Sequence, residues 1–348
     1  MNFASDNTAP AHPQVMDALA RANRAPSMPY GNDPLTREVE AKIAKLFERD
    51  AKVFLVSTGT AANALALAAA CPPWGVVFCH PESHIDDDEC GAPEFYTGGA
   101  KLAGVAGSHG KIDPAALEEA LARGGAGVVH HAQPAVLSLT NATEAGTVYS
   151  PAEIARLAGI AKKNGLKVHL DGARFANALI RQNCTPAEAT WRAGVDILSF
   201  GGTKNGCIAV EAIVVFDPAL AETLAFRRKR AGHLFSKQRY LAAQMEAYLE
   251  GGLWLDLARR ANAIAGILGE GLAALPGAKL VHAVEANEVF VDLPEPAIAA
   301  LEKAGFAVYR WDGPGTQRLR LVASWSSGAE DAARLIETAR AGLAATGR

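Results

Sequence analysis

The sequence predicts an α/β fold: a mostly parallel sheet between helices, followed by a small C-terminal α+β domain. Three observations lead there. Strand-like apolar runs alternate with helix-like stretches from about residue 50 to residue 216, which is the pattern of a parallel sheet with helical crossovers. Two long helical stretches follow, at about 218–230 and 237–274. After L-P-G-A-K (275–279) the pattern changes to short strands and helices.

Each element has its own local reason. The first 30 residues carry four prolines and read as an arm with an early helix. From Pro34, a helix sets Leu35, Val39, Ile43 and Phe47 in register on one face. K-V-F-L-V (52–56) reads as the first strand, and A-A-N-A-L-A-L-A-A-A (61–70) as a helix of good helix formers. Further strands are expected at G-V-V-F-C-H (75–80), G-V-V-H-H (127–131), L-K-V-H-L-D (166–171), D-I-L-S-F (196–200) and C-I-A-V-E-A-I-V-V-F (207–216). The stretch 150–165 is a well-marked helix: Ser150 suits the N-cap, Pro151 the first turn and Gly165 the stop. Beyond 280, V-F-V-D-L (289–293) and Q-R-L-R-L-V-A-S-W (317–325) read as strands. A-A-L-E-K-A-G (299–305) and G-A-E-D-A-A-R-L-I-E-T-A (328–339) read as helices. The breaks divide the chain into an arm (1–30), a large domain (31–250) and a small C-terminal domain (251–348).

Composition narrows the function. With 348 residues, 49% hydrophobic and 20% charged, the chain has material for a sizeable core. A net charge of −3 gives no basic footprint for nucleic acid or an anionic membrane. The start, M-N-F-A-S-D-N-T, has no basic region and no apolar signal core. The most apolar region, 61–79, is interrupted by Pro72 and Pro73 and is too short to span a bilayer. Five cysteines without a C-x-x-C argue against a disulfide framework or a zinc site, and fit a reducing cytoplasm. Cys79 and Cys207 lie in apolar runs and read as small core residues.

In a parallel α/β sheet, ligands bind beyond the C-terminal strand ends. Three motifs stand there. S-T-G-T-A-A-N (57–63) offers hydroxyls and free backbone N–H groups to a phosphate, although the same residues also make an ordinary N-cap and tight turn. In D-G-A-R (171–174), Asp171 suits a cationic ring nitrogen and Arg174 a carboxylate; a structural ion pair is the competing reading. S-F-G-G-T-K-N-G (199–206) sets Lys204 in a tight turn at a strand end. Gly201 and Gly202 there allow close backbone approach and unusual dihedrals, and Thr203 is in reach of a phosphate. A phosphate turn, then an aspartate, then a lysine is what pyridoxal phosphate requires: a cup, an acid partner for the ring nitrogen and a Schiff-base amine.

With these motifs in order, the sequence resembles the low-specificity L-threonine aldolases, with phenylserine aldolase as a close variant. The resemblance covers nearly the whole chain. It is carried by S-D-N-T (5–8), Y-G-N-D-P (30–34), S-T-G-T-A-A-N, E-S-H (82–84) with the acidic run to Glu89, and H-L-D-G-A-R-F-A-N-A (169–178). G-G-T-K-N-G (201–206), R-K-R-A-G-H (228–233) and R-L-V-A-S-W (320–325) complete the set.

The resemblance implies the aspartate-aminotransferase-like fold of pyridoxal-phosphate enzymes, with a seven-stranded sheet in the large, cofactor-binding domain. It implies that Lys204 forms the Schiff base, that Asp171 pairs with the pyridine nitrogen and that His84 stacks on the ring. Thr58, Gly59, Thr60 and Thr203 would hold the phosphate, assisted by Lys229. Ser5, Arg174 and Arg320 would bind the α-carboxylate of an amino acid substrate. Tyr30 and Lys229 would come from the neighbouring subunit of a homodimer or homotetramer. The implied reaction cleaves L-β-hydroxy-α-amino acids such as L-threonine, L-allo-threonine or L-phenylserine to glycine and an aldehyde.

One departure stands out. The family's N-T-H-x-G-x-V segment is A-T-E-A-G-T-V here (142–148), so Glu144 replaces a histidine. The group that accepts the hydroxyl proton is then Glu144, or a water held by His84, with His130 and His131 upstream as further candidates. An aminotransferase, a β-eliminating lyase acting on cysteine or tryptophan conjugates, or a silent cofactor-binding relative would keep Lys204 and Asp171 too. S-D-N-T and E-S-H-I-D-D-D-E favour the aldolase.

Overall fold

The computed structural model describes residues 2–346. In chain order its strands are β1 (Lys52–Val56), β2 (Gly75–Cys79), β3 (Lys101–Gly104), β4 (Gly107–Ser108), β5 (Lys111–Ile112), β6 (Gln133–Thr140) and β7 (Lys167–Gly172). They continue with β8 (Ile197–Gly201), β9 (Glu211–Val215), β10 (Lys279–Leu280), β11 (Glu288–Asp292), β12 (Tyr309–Arg310) and β13 (Arg318–Val322). The main sheet has seven strands in the order β1-β9-β8-β7-β6-β2-β3. The run from β3 to β8 is parallel, while β9 is antiparallel to both its neighbours. The mostly parallel sheet between helices is therefore as expected.

The central strands read as unbroken apolar runs because helices cover both faces. Every residue of β2, β8 and β9 is buried. Under β8 lies an aromatic cluster: Phe47 meets Phe216 at 5.4 Å between centroids, and Phe200 meets Trp254 at 5.5 Å. The helix Pro151–Lys163 starts as its sequence dictates, with Ser150 and Glu153 capping each other's backbone N–H groups.

The C-terminal strands form a second, antiparallel sheet, β10-β11-β13-β12. Its apolar face, with Val289, Val291, Leu319 and Leu321, packs on Leu268 and Leu335 of the long helices. The N-terminal arm is strapped to this sheet. Phe3 is buried in its core, and Val322 N–H donates to the Phe3 carbonyl at 2.7 Å. The strap carries Asp6 to the junction with the main sheet. Helix Leu253–Ala273 ties the two cores together, giving Trp254 and Ala258 to one and Ala265 and Leu268 to the other.

Two elements differ from expectation. G-V-V-H-H (127–131) is a loop, and the strand is the following Q-P-A-V-L-S-L-T. Gly125 and Gly127 adopt positive φ, and the Gln133 side chain bonds Gly127 N and Val128 O, which closes the segment as a turn. Pro134 near the strand start obscured the true position, and β2 accommodates it with a register shift at Val76/Val77. The helical stretch 237–274 is two helices, Arg239–Leu249 and Leu253–Ala273, because Gly251 and Gly252 take positive φ between them. All five cysteines are free, and Cys79 and Cys207 are buried. No described helix is long and apolar enough to cross a membrane.

Candidate active site

Parallel register brings the strand-end motifs together. Thr140 lies opposite Asp171 and Asp171 opposite Ser199, so the ends of β6, β7 and β8 are level. Asp171 and the Lys204 turn therefore leave adjacent strands on the same edge of the sheet. Below them, buried His169 bridges Ser138 at 2.9 Å and Ser199 at 3.0 Å. Burial holds the His169 imidazole down at about 4, so it is neutral and cross-links three strands.

The Lys204 turn is built by close approach. A Cβ on Gly201 would lie 2.2 Å from the Ala173 carbonyl oxygen, and one on Gly202 2.7 Å from that of Val210. The unusual dihedral expected of these glycines belongs to Gly206 instead, at φ +104°. Asn205 fixes the turn by donating to Tyr248 Oη and to the Trp254 carbonyl, both at 2.8 Å. Glu211 accepts from Gly202 N–H at 2.8 Å. Burial pushes Glu211 up to about 7, against the pull of Thr203, Gly202 and Lys204. Thr203 Oγ1 accepts from Val210 N–H at 3.1 Å, so this hydroxyl also secures the turn.

Asp171 is held by Ala173 N–H at 2.9 Å and by the Asn63 amide at 2.8 Å. The same Asn63 nitrogen donates to Glu89 Oε1 at 2.9 Å, and that oxygen lies 2.8 Å from His84 Nδ1. A continuous line runs from Asp171 through Asn63 and Glu89 to His84. The Glu89 bond pushes His84 up from its ordinary value, and burial pushes Glu89 up. Glu144, Lys204 and Asp171 also act on the His84 charge.

Helix Gly59–Ala70 starts at the expected anion turn. Thr58 Oγ1 accepts from Ala61 N–H at 3.1 Å. Gly59 and Thr60 follow as the first helical residues, and nothing lies within 4 Å of the place where a Gly59 Cβ would stand. The Ser57 hydroxyl lies 3.2 Å from His233 Nδ1.

Arg174 is buried and paired. Its Nε donates to Asp6 Oδ2 at 2.7 Å and its Nη2 to Asp6 Oδ1 at 3.1 Å. Glu288 Oε1 stands 3.5 Å from Nη2. Ser5 precedes Asp6 and caps the short turn that presents it. Arg320 lies over Trp311 at 4.9 Å, and its buried Nε has no hydrogen-bond partner among the described residues. Glu144 acts on both Arg174 and Glu288. Tyr30 and Lys229 pair with each other, the ammonium 4.5 Å from the ring centroid. His130 and His131 are exposed at the opposite end of β6, about 25 Å from its C-terminal edge. Within one chain they are too far from that edge to serve beside Glu144.

A sequence model described as Beta-eliminating lyase matches residues 2–296. The chain belongs to the β-eliminating lyase family. Within that family it is 44% identical over 339 residues to a low specificity L-threonine aldolase of Pseudomonas aeruginosa, covering 97% of this chain and 96% of that one. A solved threonine aldolase of Leishmania major superposes with a TM-score of 0.91 at 31% identity, covering 98% of each chain. An aspartate aminotransferase of Rhodobacter sphaeroides shares the fold, with a TM-score of 0.69 at 17% identity over 100% of this chain and 93% of that one. The protein is thus a lyase with the aspartate-aminotransferase-like fold.

For this β-eliminating lyase, sequence reading missed Asp6, Asn63, Glu89, Glu211 and Glu288. Asp6, Asn63 and Glu89 lie inside the motifs already quoted, and Glu211 in a run assigned as a strand. Glu288 directly precedes V-F-V-D-L. A single carboxylate before an apolar strand was the only signal it gave.

Proposed function

We propose that this lyase is a pyridoxal-phosphate-dependent aldolase. It cleaves L-β-hydroxy-α-amino acids of the L-threonine, L-allo-threonine or L-phenylserine type to glycine and an aldehyde. The observation that carries the reading is the line Asp171–Asn63–Glu89–His84 converging with Lys204 at the sheet edge. The residues fit the cofactor: a turn too close for side chains presents the amine, and a fixed carboxylate faces the same space. A helix start with open space at Gly59 suits a phosphate, and an unpaired arginine nitrogen suits a substrate anion.

Pyridoxal phosphate, when bound, supplies a carbonyl for an amine and a ring that accepts electrons from a breaking bond. Lys204 provides the amine that anchors it. Asp171 offers its carboxylate to the ring nitrogen. Thr58, Gly59 and Thr60 would hold the phosphate, and Thr203 secures the turn that carries Lys204. Arg320, with Ser5 and Arg174, binds the α-carboxylate and so orients the substrate. Glu144 would take the proton from the β-hydroxyl oxygen; His84, fixed at Nδ1 by Glu89, would stand against the cofactor and hold water there. Tyr30 and Lys229 act on the site of a neighbouring subunit in a cytoplasmic homodimer or homotetramer. The exposed apolar side chains of Met28, Tyr30, Phe226 and Phe235 support that assembly.

The test offers L-threonine, L-allo-threonine and L-phenylserine separately to purified protein with pyridoxal phosphate. Equal yields of glycine and aldehyde are expected. Pyruvate or another keto acid in place of glycine would overturn the aldolase in favour of elimination or amino transfer.

A further inference from the structure

Glu288 is an unusual carboxylate. It lies in β11, where the pairs Glu288–Val322 and Phe290–Arg320 put it on the same sheet face as Arg320. Its side chain is completely buried, yet neither oxygen has a hydrogen-bond partner among the described residues. Oε1 stands at ion-pair distance from Arg174, 3.5 Å, outside hydrogen-bond geometry. The better positions on that guanidinium are taken by Asp6. The loop that carries Glu144 is pressed against it: a Cβ on Gly146 would lie 3.0 Å from the Glu288 Cβ.

The charges around Glu288 come from four segments. Asp6 belongs to the arm, Glu144 to the loop after β6, Arg174 to the turn after β7 and Arg320 to β13. Counting Glu288, three carboxylates face two guanidinium groups, with Lys204 acting on Asp6. A substrate α-carboxylate would be the fourth acid in one buried volume. Like charges at such range disfavour full ionisation, most of all of the carboxyl with the fewest bonds to lose. Asp6 accepts three bonds, from Arg174 twice and Asn287 once, and Glu144 is partly exposed. Glu288 has the least to lose.

We propose that Glu288 is a positioning residue for the substrate carboxylate. Ionised, it competes for the part of Arg174 that Asp6 leaves open; when it takes one proton from solvent, it yields that part of the guanidinium to the incoming anion. Burial, Glu144 and Asp6 already outweigh the two arginines and push Glu288 up to about 7, so this proton is available near neutrality. The inference rests on the reading of the site as one for amino acids. It couples binding to uptake of one proton, so affinity falls by up to about tenfold per pH unit above neutrality.

The experiment is calorimetric titration of the holoenzyme with glycine, in buffers of different ionisation enthalpy, from pH 7.5 to 8.5. Wild type, Glu288→Gln, Glu288→Met and Glu288→Asp are compared, so that protons exchanged at other groups cancel. Wild type and Glu288→Asp should take up close to one proton more than Glu288→Gln. The glycine Kd of wild type should rise several-fold more steeply with pH. Glu288→Met, similar in volume and uncharged, gives the same reading should the glutamine variant fail to fold. Equal proton uptake and equal pH slopes in wild type and the uncharged variants would overturn the proposal. Heat of glycine binding does not depend on turnover. A chain that binds glycine in this way but releases no aldehyde would overturn the aldolase and leave the role of Glu288 standing; wild type that binds no glycine would overturn both.

Discussion

Asp6 holds Arg174 through both carboxylate oxygens, at 2.7 Å to Nε and 3.1 Å to Nη2. The two residues are 168 positions apart, and both are buried. Burial alone would push the Asp6 carboxyl up, but Arg174 and Lys204 outweigh it and hold it below its ordinary value. The pair locks the N-terminal arm into the site.

Breaking that pair from one side leaves a buried guanidinium without its main partner. Such losses cost about 3–5 kcal/mol. Asp6→Ala should therefore lower the thermal midpoint clearly and raise KM for amino acid substrates. Asp6→Asn, which keeps an acceptor, should lose less. Calorimetric scans and initial rates check both; an Asp6→Ala protein as stable as wild type would contradict this role.

Asn63 supplies one amide nitrogen to two buried carboxylates, Asp171 and Glu89. Asn63→Ala leaves both without that donor, at a cost of about 1–3 kcal/mol each. The expected result is weaker retention of pyridoxal phosphate, read as cofactor lost on dialysis, with the overall fold kept by circular dichroism.

The same substitution at two glycines should have opposite outcomes. Gly201→Ala drives a methyl to 2.2 Å from the Ala173 carbonyl oxygen, and backbone must move to relieve it. Gly159, inside helix Pro151–Lys163, has nothing within 4 Å of its would-be Cβ. Gly159→Ala should stabilise by about 0.5–1 kcal/mol, while Gly201→Ala should abolish activity and lower stability. Denaturant midpoints separate the two.

The chain made these sites legible to different degrees. Lys204 and Asp171 could be read because strand-helix alternation places whatever follows a parallel strand at the ligand edge. Gly201 could be read because a small residue before a strand-end lysine implies close approach. Glu288 could not, because its role comes from an arm, a loop and a second sheet meeting in space. The strand Gln133–Thr140 was hidden by Pro134 and by a more β-like neighbour that the Gln133 side chain folds into a turn.

His169 gives a pH signature of its own. Its folded value is depressed from 6.5 to about 4 by burial. The folded protein therefore binds fewer protons than the unfolded chain in that window. Stability is present above the unfolded value and is lost as pH falls from about 6.5 towards 4, on the order of 3 kcal/mol in all. His169→Asn should flatten this slope in urea titrations across that range. A slope as steep as that of wild type would place the acid sensitivity elsewhere.

The central claim is that Lys204, aimed by the Gly201–Gly202 turn, carries a carbon–carbon cleavage. The most direct measurement is aldehyde release from L-threonine and L-phenylserine by wild type and Lys204→Ala, each with saturating pyridoxal phosphate. The account predicts aldehyde and glycine in equal amounts from wild type, and a loss of orders of magnitude in the variant with its fold intact. Near-normal turnover by Lys204→Ala would contradict it.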